Sequence, residues 1–295
     1  MKKKIALVLG SGGARGTAHI GVIRALIAHG FEITSVSGTS MGALVGGIYA
    51  AGKLDEYEEW MTSLSKTDVF NLVDFTLSMN GIIKANKVIK TLLKFIPDHQ
   101  IEDLAIPFSA VATDLLQKKE VVFTQGSLFE AIRASISIPM VITPMKKNET
   151  LFVDGGVLNP VPVNRVFRHD GDLLVAVNVN AQIPFDETNN TLKEWESLDQ
   201  ITQDKLSAFH EKIAQLIPFN KKDNKGYFHL IGDTTGLMLA QITKLTMEIN
   251  PPDLLIEISR SSCSVFDFYK AKEQIQLGKD VTIQCLKKWN KKQHV

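Results

Sequence analysis

The apolar positions of this chain follow two alternating rhythms. Short, nearly unbroken apolar runs occur at Ile5–Leu9, Ile33–Ser37, Phe108–Thr113, Val121–Thr124, Leu151–Val153, Leu173–Val179 and Leu254–Ile258. Their shortness and β-branched content predict buried strands. Between them apolar residues recur at helical spacing. Ala18–His29 sets Ile20, Ile23 and Ile27 on one face, and Ala43–Ala51 is small and apolar throughout. Asp55–Leu64, Ala85–Phe95, Leu128–Ser135, Gly236–Glu248 and Asp267–Gly278 read as further helices. Strands alternating with helices predict an α/β fold: a three-layer α/β/α arrangement around a mainly parallel central sheet.

One stretch breaks the rhythm. Residues 181–232 are rich in Asn, Asp, Lys and Glu, hold one helical pattern near Leu198–Ile217, and offer no strand. They read as an insertion: a solvated peripheral helix, a lid or a partly mobile arm. The expected organisation is a single domain over 1–295. Its core is about 4–180, its insertion about 181–232, and a C-terminal strand and helices fill about 233–295.

Composition narrows the class of protein. The chain has 295 residues, 44% hydrophobic and 22% charged, so it can bury a large core. The net charge of +1 gives no bias toward nucleic acid. Two cysteines, Cys263 and Cys285, supply neither a disulfide framework nor metal-ligand spacing. The opening "MKKKIALVLG" imitates a signal peptide, but the apolar run Ile5–Leu9 is too short for one and Arg15 follows soon after. With no apolar run near membrane-spanning length, a cytoplasmic protein is the default expectation. The basic end "CLKKWNKKQHV" reads as a solvated helix end, and supports at most a transient contact with a membrane surface.

Three short motifs carry chemistry. "GSGGARG", Gly10 to Gly16, follows the first strand and precedes a helix, so its amides and the helix N-terminus suit an anion. That anion is either a bound phosphate or a transient oxyanion. A dinucleotide turn needs Gly-x-Gly-x-x-Gly. Here Gly16 comes one residue too late after Gly10 and Gly12, and Glu32 stands at the wrong end of the second strand. "GTSMG" places Ser40 between Gly38 and Gly42, after a strand and before a helix, as a nucleophile elbow requires. A Gly/Ser turn without chemistry gives the same pentapeptide. "FVDGGVLNPVPV" ends a strand in Asp154, followed by Gly155 and Gly156. Asp-Gly by itself is an ordinary turn.

A serine hydrolase of the α/β-hydrolase type also needs a histidine after its acid. The histidines are His19, His29, His99, His169, His210, His229 and His294, and none stands in a strand-end loop beside an orienting partner. His19 reads as a packed or capping residue of the first helix.

Taken together, "GSGGARG", "GTSMG" and "DGG" in this order resemble the patatin-like phospholipase family. "AIRASISIPMVITPM", Ala131 to Met145, is similar to the family's Ala-Ser-x-x-x-Pro segment. "AHIGVIRAL" and, near the end, "SVFDFYKAKEQIQLG" are similar too, and the likeness covers about 4–180. Many members carry Gly where Ser11 stands. The resemblance implies a Ser–Asp dyad: Ser40 as nucleophile and Asp154 as its base, with no cofactor and no metal. It implies an oxyanion hole from the amides of Gly12, Gly13 and Ala14. Arg15 would brace the loop or face a phosphate head group, and Gly38, Gly42, Gly155 and Gly156 would support the turns. The implied substrate is a lipid or lysophospholipid acyl ester. Asp68–Ile83 is apolar enough to line an acyl groove or to pack in the core. The alternatives are a thioesterase or small-ester esterase with the same dyad, and a non-catalytic module that binds a lipid or a partner protein.

Overall fold

The structure, a computed structural model, describes residues 2–72, 75–78, 81–185 and 227–293. It divides into two compact units, Met1–Phe185 with Ala240–Val295, and Asp186–Leu239. The helical pattern near Leu198–Ile217 lies outside the described residues. Of the second unit, the described part is the first half of a helix, Tyr227–Ile249, which is longer than the expected Gly236–Glu248.

The first unit is built on one large sheet. Its strands are β1 (Lys3–Leu9), β2 (Phe31–Thr39), β5 (Phe108–Asp114), β6 (Lys119–Phe123), β7 (Met145–Lys147), β8 (Thr150–Asp154), β9 (Leu173–Ala181) and β10 (Leu254–Ser259). β3 (Phe75–Ser78) and β4 (Gly81–Ile83) form a separate two-stranded antiparallel sheet. In the large sheet β10, β9, β1, β2 and β5 run parallel in that order. β6, β8 and β7 add antiparallel pairings at one side. The mainly parallel sheet expected from the apolar runs is therefore present, with an antiparallel margin that the runs did not announce.

The alternation along the central strands sorts the core into two faces. Ile5, Leu7 and Leu9 of β1, with Val175, Val177 and Val179 of β9, pack into one cluster with Ile20, Ile23 and Leu26. Those last three lie on α1 (Ala18–Ala28). Val8, Leu174 and Ala176 point the other way, against Val161, Val163 and Met247. Both faces are covered, which is why β1 reads as an unbroken apolar run rather than an alternating one. On the first face α1 meets the C-terminal helix, Ala271–Gln293, almost backbone to backbone. A Cβ on Gly21 would lie 1.8 Å from the Ile275 carbonyl oxygen, and one on Gly278 would lie 2.1 Å from that of Ala18.

The remaining helices are α2 (Met41–Ala50), α3 (Leu54–Ser63), α4 (Lys66–Leu72), α5 (Asn86–Leu92) and α6 (Leu128–Ser135). α6 matches the sequence expectation residue for residue and is capped by Ser127, whose side chain accepts the Glu130 N–H. α4 was not anticipated. Of the stretch Asp68–Ile83, the side chains of 73–82 lie outside the described residues. The basic tail continues the C-terminal helix, where Trp289 packs on Phe31 at 6.1 Å between ring centroids, with Lys3 Nζ 4.5 Å above the indole. This tryptophan packs at the N-terminal ends of β1 and β2.

Candidate active site

Strand register brings Ser40 and Asp154 together. β5 is paired along Ala110–Asp114 by β6, which fills one edge. The opposite edge is shared. β2 runs parallel along it from Val36↔Phe108 to Thr39↔Val111. β8 runs antiparallel along it from Asp114↔Phe152 to Ala112↔Asp154. The two strands thus approach each other head-on and stop at adjacent β5 residues, Val111 and Ala112. Ser40 follows the end of one and Asp154 is the end of the other.

Ser40 sits at φ 57° and ψ −122°, between β2 and α2. This is the backbone geometry of the first central residue of a type II′ turn, which favours glycine and costs a serine ~1–3 kcal/mol. Such strain is the mark of a nucleophile elbow. The flanking glycines are required by crowding. A Cβ on Gly42 would lie 2.0 Å from the Leu9 carbonyl oxygen, and one on Gly38 would lie 2.3 Å from that of Gly42.

Asp154 is 5% exposed and Ser40 3%. The Asp154 Oδ1 accepts the Gly156 N–H at 2.7 Å. Its Oδ2 is buried and makes no hydrogen bond of ordinary geometry among the described residues. Burial raises the Asp154 pKa to about 6, with the neighbouring Ser40 side chain and the Gly156 amide opposing the shift. The carboxyl group therefore has its pKa raised to about 6 and stands against the Ser40 hydroxyl. Gly155 and Gly156 are needed here: their Cβ atoms would lie 2.2 Å from Val111 O and 3.0 Å from Asp154 Oδ1.

The glycine-rich loop is pinned from three sides. The Gly10 N–H donates to Val177 O at 3.0 Å, Ser11 N–H to Pro160 O at 2.8 Å, and Ala14 N–H to Val265 O at 2.8 Å. Among the described residues the amides of Gly12 and Gly13 bond to no carbonyl outside the turn. Of the three amides expected to face an anion, Ala14 is thus already committed, because Val265 supplies the acceptor its N–H would otherwise lack. Arg15 resolves toward bracing. Its guanidinium donates to Asn180 Oδ1 at 2.7 and 3.1 Å and to Cys263 O at 3.1 Å. Asn180 Nδ2 in turn donates to Ser11 O at 2.6 Å.

Among the described residues no histidine joins Ser40. His19 is fully buried and its Nε2 lies 2.8 Å from Gly10 O. A carbonyl only accepts, so Nε2 carries the proton. Burial lowers the His19 pKa to about 4, so the ring is neutral and ties α1 to the loop.

Three tethers were invisible as such in the sequence. The Ser40 N–H donates to Ser135 Oγ at 2.8 Å. The Asp154 N–H donates to Ser137 O at 2.9 Å. Thr39 Oγ1 donates to Asn159 O at 2.9 Å. The only sequence signal for the first two was the Ala-Ser-x-x-x-Pro likeness, which names a segment without giving it a job. Among the described residues no cluster of His, Cys, Asp or Glu could hold a metal ion, and no helix is long and apolar enough to cross a membrane. An open groove of about 630 Å³, lined in part by Lys84, Phe129, Glu130, Arg133 and Lys146, contains neither Ser40 nor Asp154.

Known proteins resemble this chain over much of its length. The profile of the family described as patatin-like phospholipase matches residues 7–167, more than half of the chain. An uncharacterized NTE family protein of Mycobacterium bovis is 34% identical over 330 residues, covering 96% of this chain and 91% of the relative. Mouse patatin-like phospholipase domain-containing protein 7 is 32% identical over 203 residues, or 65% of this chain and 15% of the relative. The neuropathy target esterase sws of Drosophila melanogaster is 32% identical over 192 residues, or 63% of this chain and 13% of the relative. This chain therefore spans a small part of those two longer proteins. The chain belongs to the patatin-like phospholipase family.

Proposed function

We propose that this protein hydrolyses lipid acyl esters, with Ser40 as nucleophile and Asp154 as its base. The observation that carries the reading is the pairing of a strained elbow serine with a buried carboxyl group that titrates near neutrality. Ser40 Oγ attacks the ester carbonyl carbon. Asp154 Oδ2 takes the hydroxyl proton and returns it to the leaving alcohol. The Gly12 and Gly13 amides donate to the carbonyl oxygen as it becomes an oxyanion, each such donor contributing ~3 kcal/mol in comparable sites. Water, deprotonated by Asp154, then releases the acid and regenerates Ser40.

Support for an apolar acyl chain comes from the loops around the dyad. Val157 and Leu158, on the turn after Asp154, are 37% and 42% exposed. Phe266, next to the Val265 that holds Ala14, is 48% exposed, and Met140, on the turn beyond Ser137, is 50% exposed. An apolar chain laid across these side chains removes their surface from water.

A fluorophosphonate probe with intact-mass readout tests the chemistry, alongside Ser40→Ala and Asp154→Asn. The expected result is one adduct on the wild type, none on Ser40→Ala, and labelling slowed by about two orders of magnitude or more in Asp154→Asn. An unlabelled but folded wild type would remove the catalytic reading in favour of a lipid-binding module. A series of p-nitrophenyl esters then tests the substrate class, with turnover expected to rise with acyl length.

A further inference from the structure

The Ser135–Ser137 turn holds both halves of the candidate dyad by their backbone amides. Ser135 Oγ accepts the Ser40 N–H at 2.8 Å and donates to Val111 O at 2.6 Å. Two residues on, the Ser137 carbonyl accepts the Asp154 N–H at 2.9 Å. Val111 is the last β5 residue paired with β2, and Ala112 the first paired with β8. The gap between the two strand ends therefore falls at Val111. In an unbroken parallel ladder a β2 amide would bond to this region of β5 directly. Here the Ser135 hydroxyl stands between Ser40 N–H and Val111 O as an inserted rung. Gly155 packs against the same Val111 oxygen, where an added Cβ would lie at 2.2 Å.

The turn is itself clamped. Arg133, in the last turn of α6, donates to Ser137 Oγ at 2.6 Å, Lys84 O at 2.7 Å, Thr143 O at 2.9 Å and Thr143 Oγ1 at 3.3 Å. Ser137 Oγ donates back to Arg133 O at 2.9 Å. The planar guanidinium suits this several-sided arrangement and an ammonium does not.

We propose that Ser135 is a positioning residue that sets the separation of Ser40 and Asp154, acting through the Ser40 amide, with Arg133 holding its turn in place. The proposal rests on the Ser–Asp reading above. It gives the Ala-Ser-x-x-x-Pro segment a job: its serine is the rung, and its turn carries the carbonyl that anchors the carboxylate strand. Ser135 touches neither the reacting atoms nor a substrate, so its loss misplaces the nucleophile without removing it.

The test compares Ser135→Ala with Ser109→Ala, using fluorophosphonate labelling and turnover of a soluble p-nitrophenyl ester. Ser109 is a buried serine of the same strand β5, and its hydroxyl donates to Arg165 O at 3.0 Å and accepts from the Ser37 hydroxyl at 2.8 Å, away from Ser40, Ser135 and Asp154. Both variants lose one buried hydroxyl, so a merely structural role lowers the melting temperature of both and leaves kcat alone. A positioning role lowers kcat of Ser135→Ala about tenfold to a hundredfold, the range expected for a nucleophile displaced by ~1 Å, with KM within about twofold. Arg133→Lys supplies a second readout should Ser135→Ala fail to fold. It keeps the charge but not the fork, and should lower kcat several-fold below wild type with KM held; a wild-type kcat in a folded Arg133→Lys counts against the proposal. Equal kcat for Ser135→Ala, Ser109→Ala and wild type overturns the proposal while leaving the dyad intact. A wild type that neither labels nor turns over overturns the dyad, and the positioning role with it.

Discussion

Ser40 and Asp154 stand at the facing ends of two strands that share one edge of β5, one step past Thr39↔Val111 and at Ala112↔Asp154. The consequence is a carboxyl group taken out of water beside a hydroxyl, at a point where neither strand continues. Asp154 pays for that position in solvation, and its raised pKa should be visible in both activity and stability.

For activity, the base form of Asp154 is lost as pH falls through its pKa. The acid limb of kcat/KM should therefore bend near 6, where Asp154 titrates, and not near 4 as for an ordinary carboxyl group. A pH–rate profile on a substrate without ionising groups checks this. A limb near 4 would place Asp154 in a more solvated setting.

For stability, the sign runs against the usual carboxylate. The folded pKa of about 6 exceeds the ordinary 3.8. Between those values the native state binds more protons than the unfolded chain, so this group's contribution falls as pH rises through the window. Above about pH 6 the full cost is present, as much as ~3 kcal/mol. Asp154→Asn should accordingly melt several degrees higher than wild type at pH 8, with the gain disappearing toward pH 4. Calorimetry at the two pH values reads it directly.

His19 should act in the opposite sense. Its folded pKa is about 4 against an ordinary 6.5. Between those values the unfolded chain takes up a proton that the buried ring refuses, so stability is lost as pH falls from about 6.5 toward 4. His19→Gln retains a donor for Gly10 O and removes the titration. It should show a flatter melting temperature between pH 7 and 5 than wild type, and near-normal fluorophosphonate labelling at pH 7.5.

The elbow strain can be released without touching the sheet. Ser40→Gly removes the penalty of φ 57° and should be more stable than Ser40→Ala by ~1 kcal/mol or more. Both should be unlabelled. Equal melting temperatures would mean that the elbow is not strained at Ser40.

Gly42→Ala should destabilise by ~3 kcal/mol or more, because its Cβ meets the rigid Leu9 backbone and no flexible side chain can yield. Gly52→Ala is the comparison. It stands at φ +69° with nothing within 4 Å, so only the backbone penalty of ~1–2 kcal/mol applies. Denaturant unfolding separates the two.

Much of this protein is legible along the chain because its signals are local. β1, β5 and β9 carry short, nearly unbroken apolar runs because both of their faces are covered, and α6 announces itself by apolar residues at helical spacing. The elbow at Ser40 and the strand-end Asp154 are marked by glycines whose places are dictated by neighbouring backbone. What stayed hidden depends on partners far away in sequence. The commitment of Ala14 needs Val265, and the bracing role of Arg15 needs Asn180 and Cys263. The rung at Ser135 needs Val111 and Ser40 at once. No local pattern records which carbonyl lies opposite an amide, so these assignments were decided by tertiary structure alone. The sequence by itself determined which residues stand at strand ends and turns. The sheet register decided which two of those ends meet, and burial at that meeting point set the chemistry of Asp154.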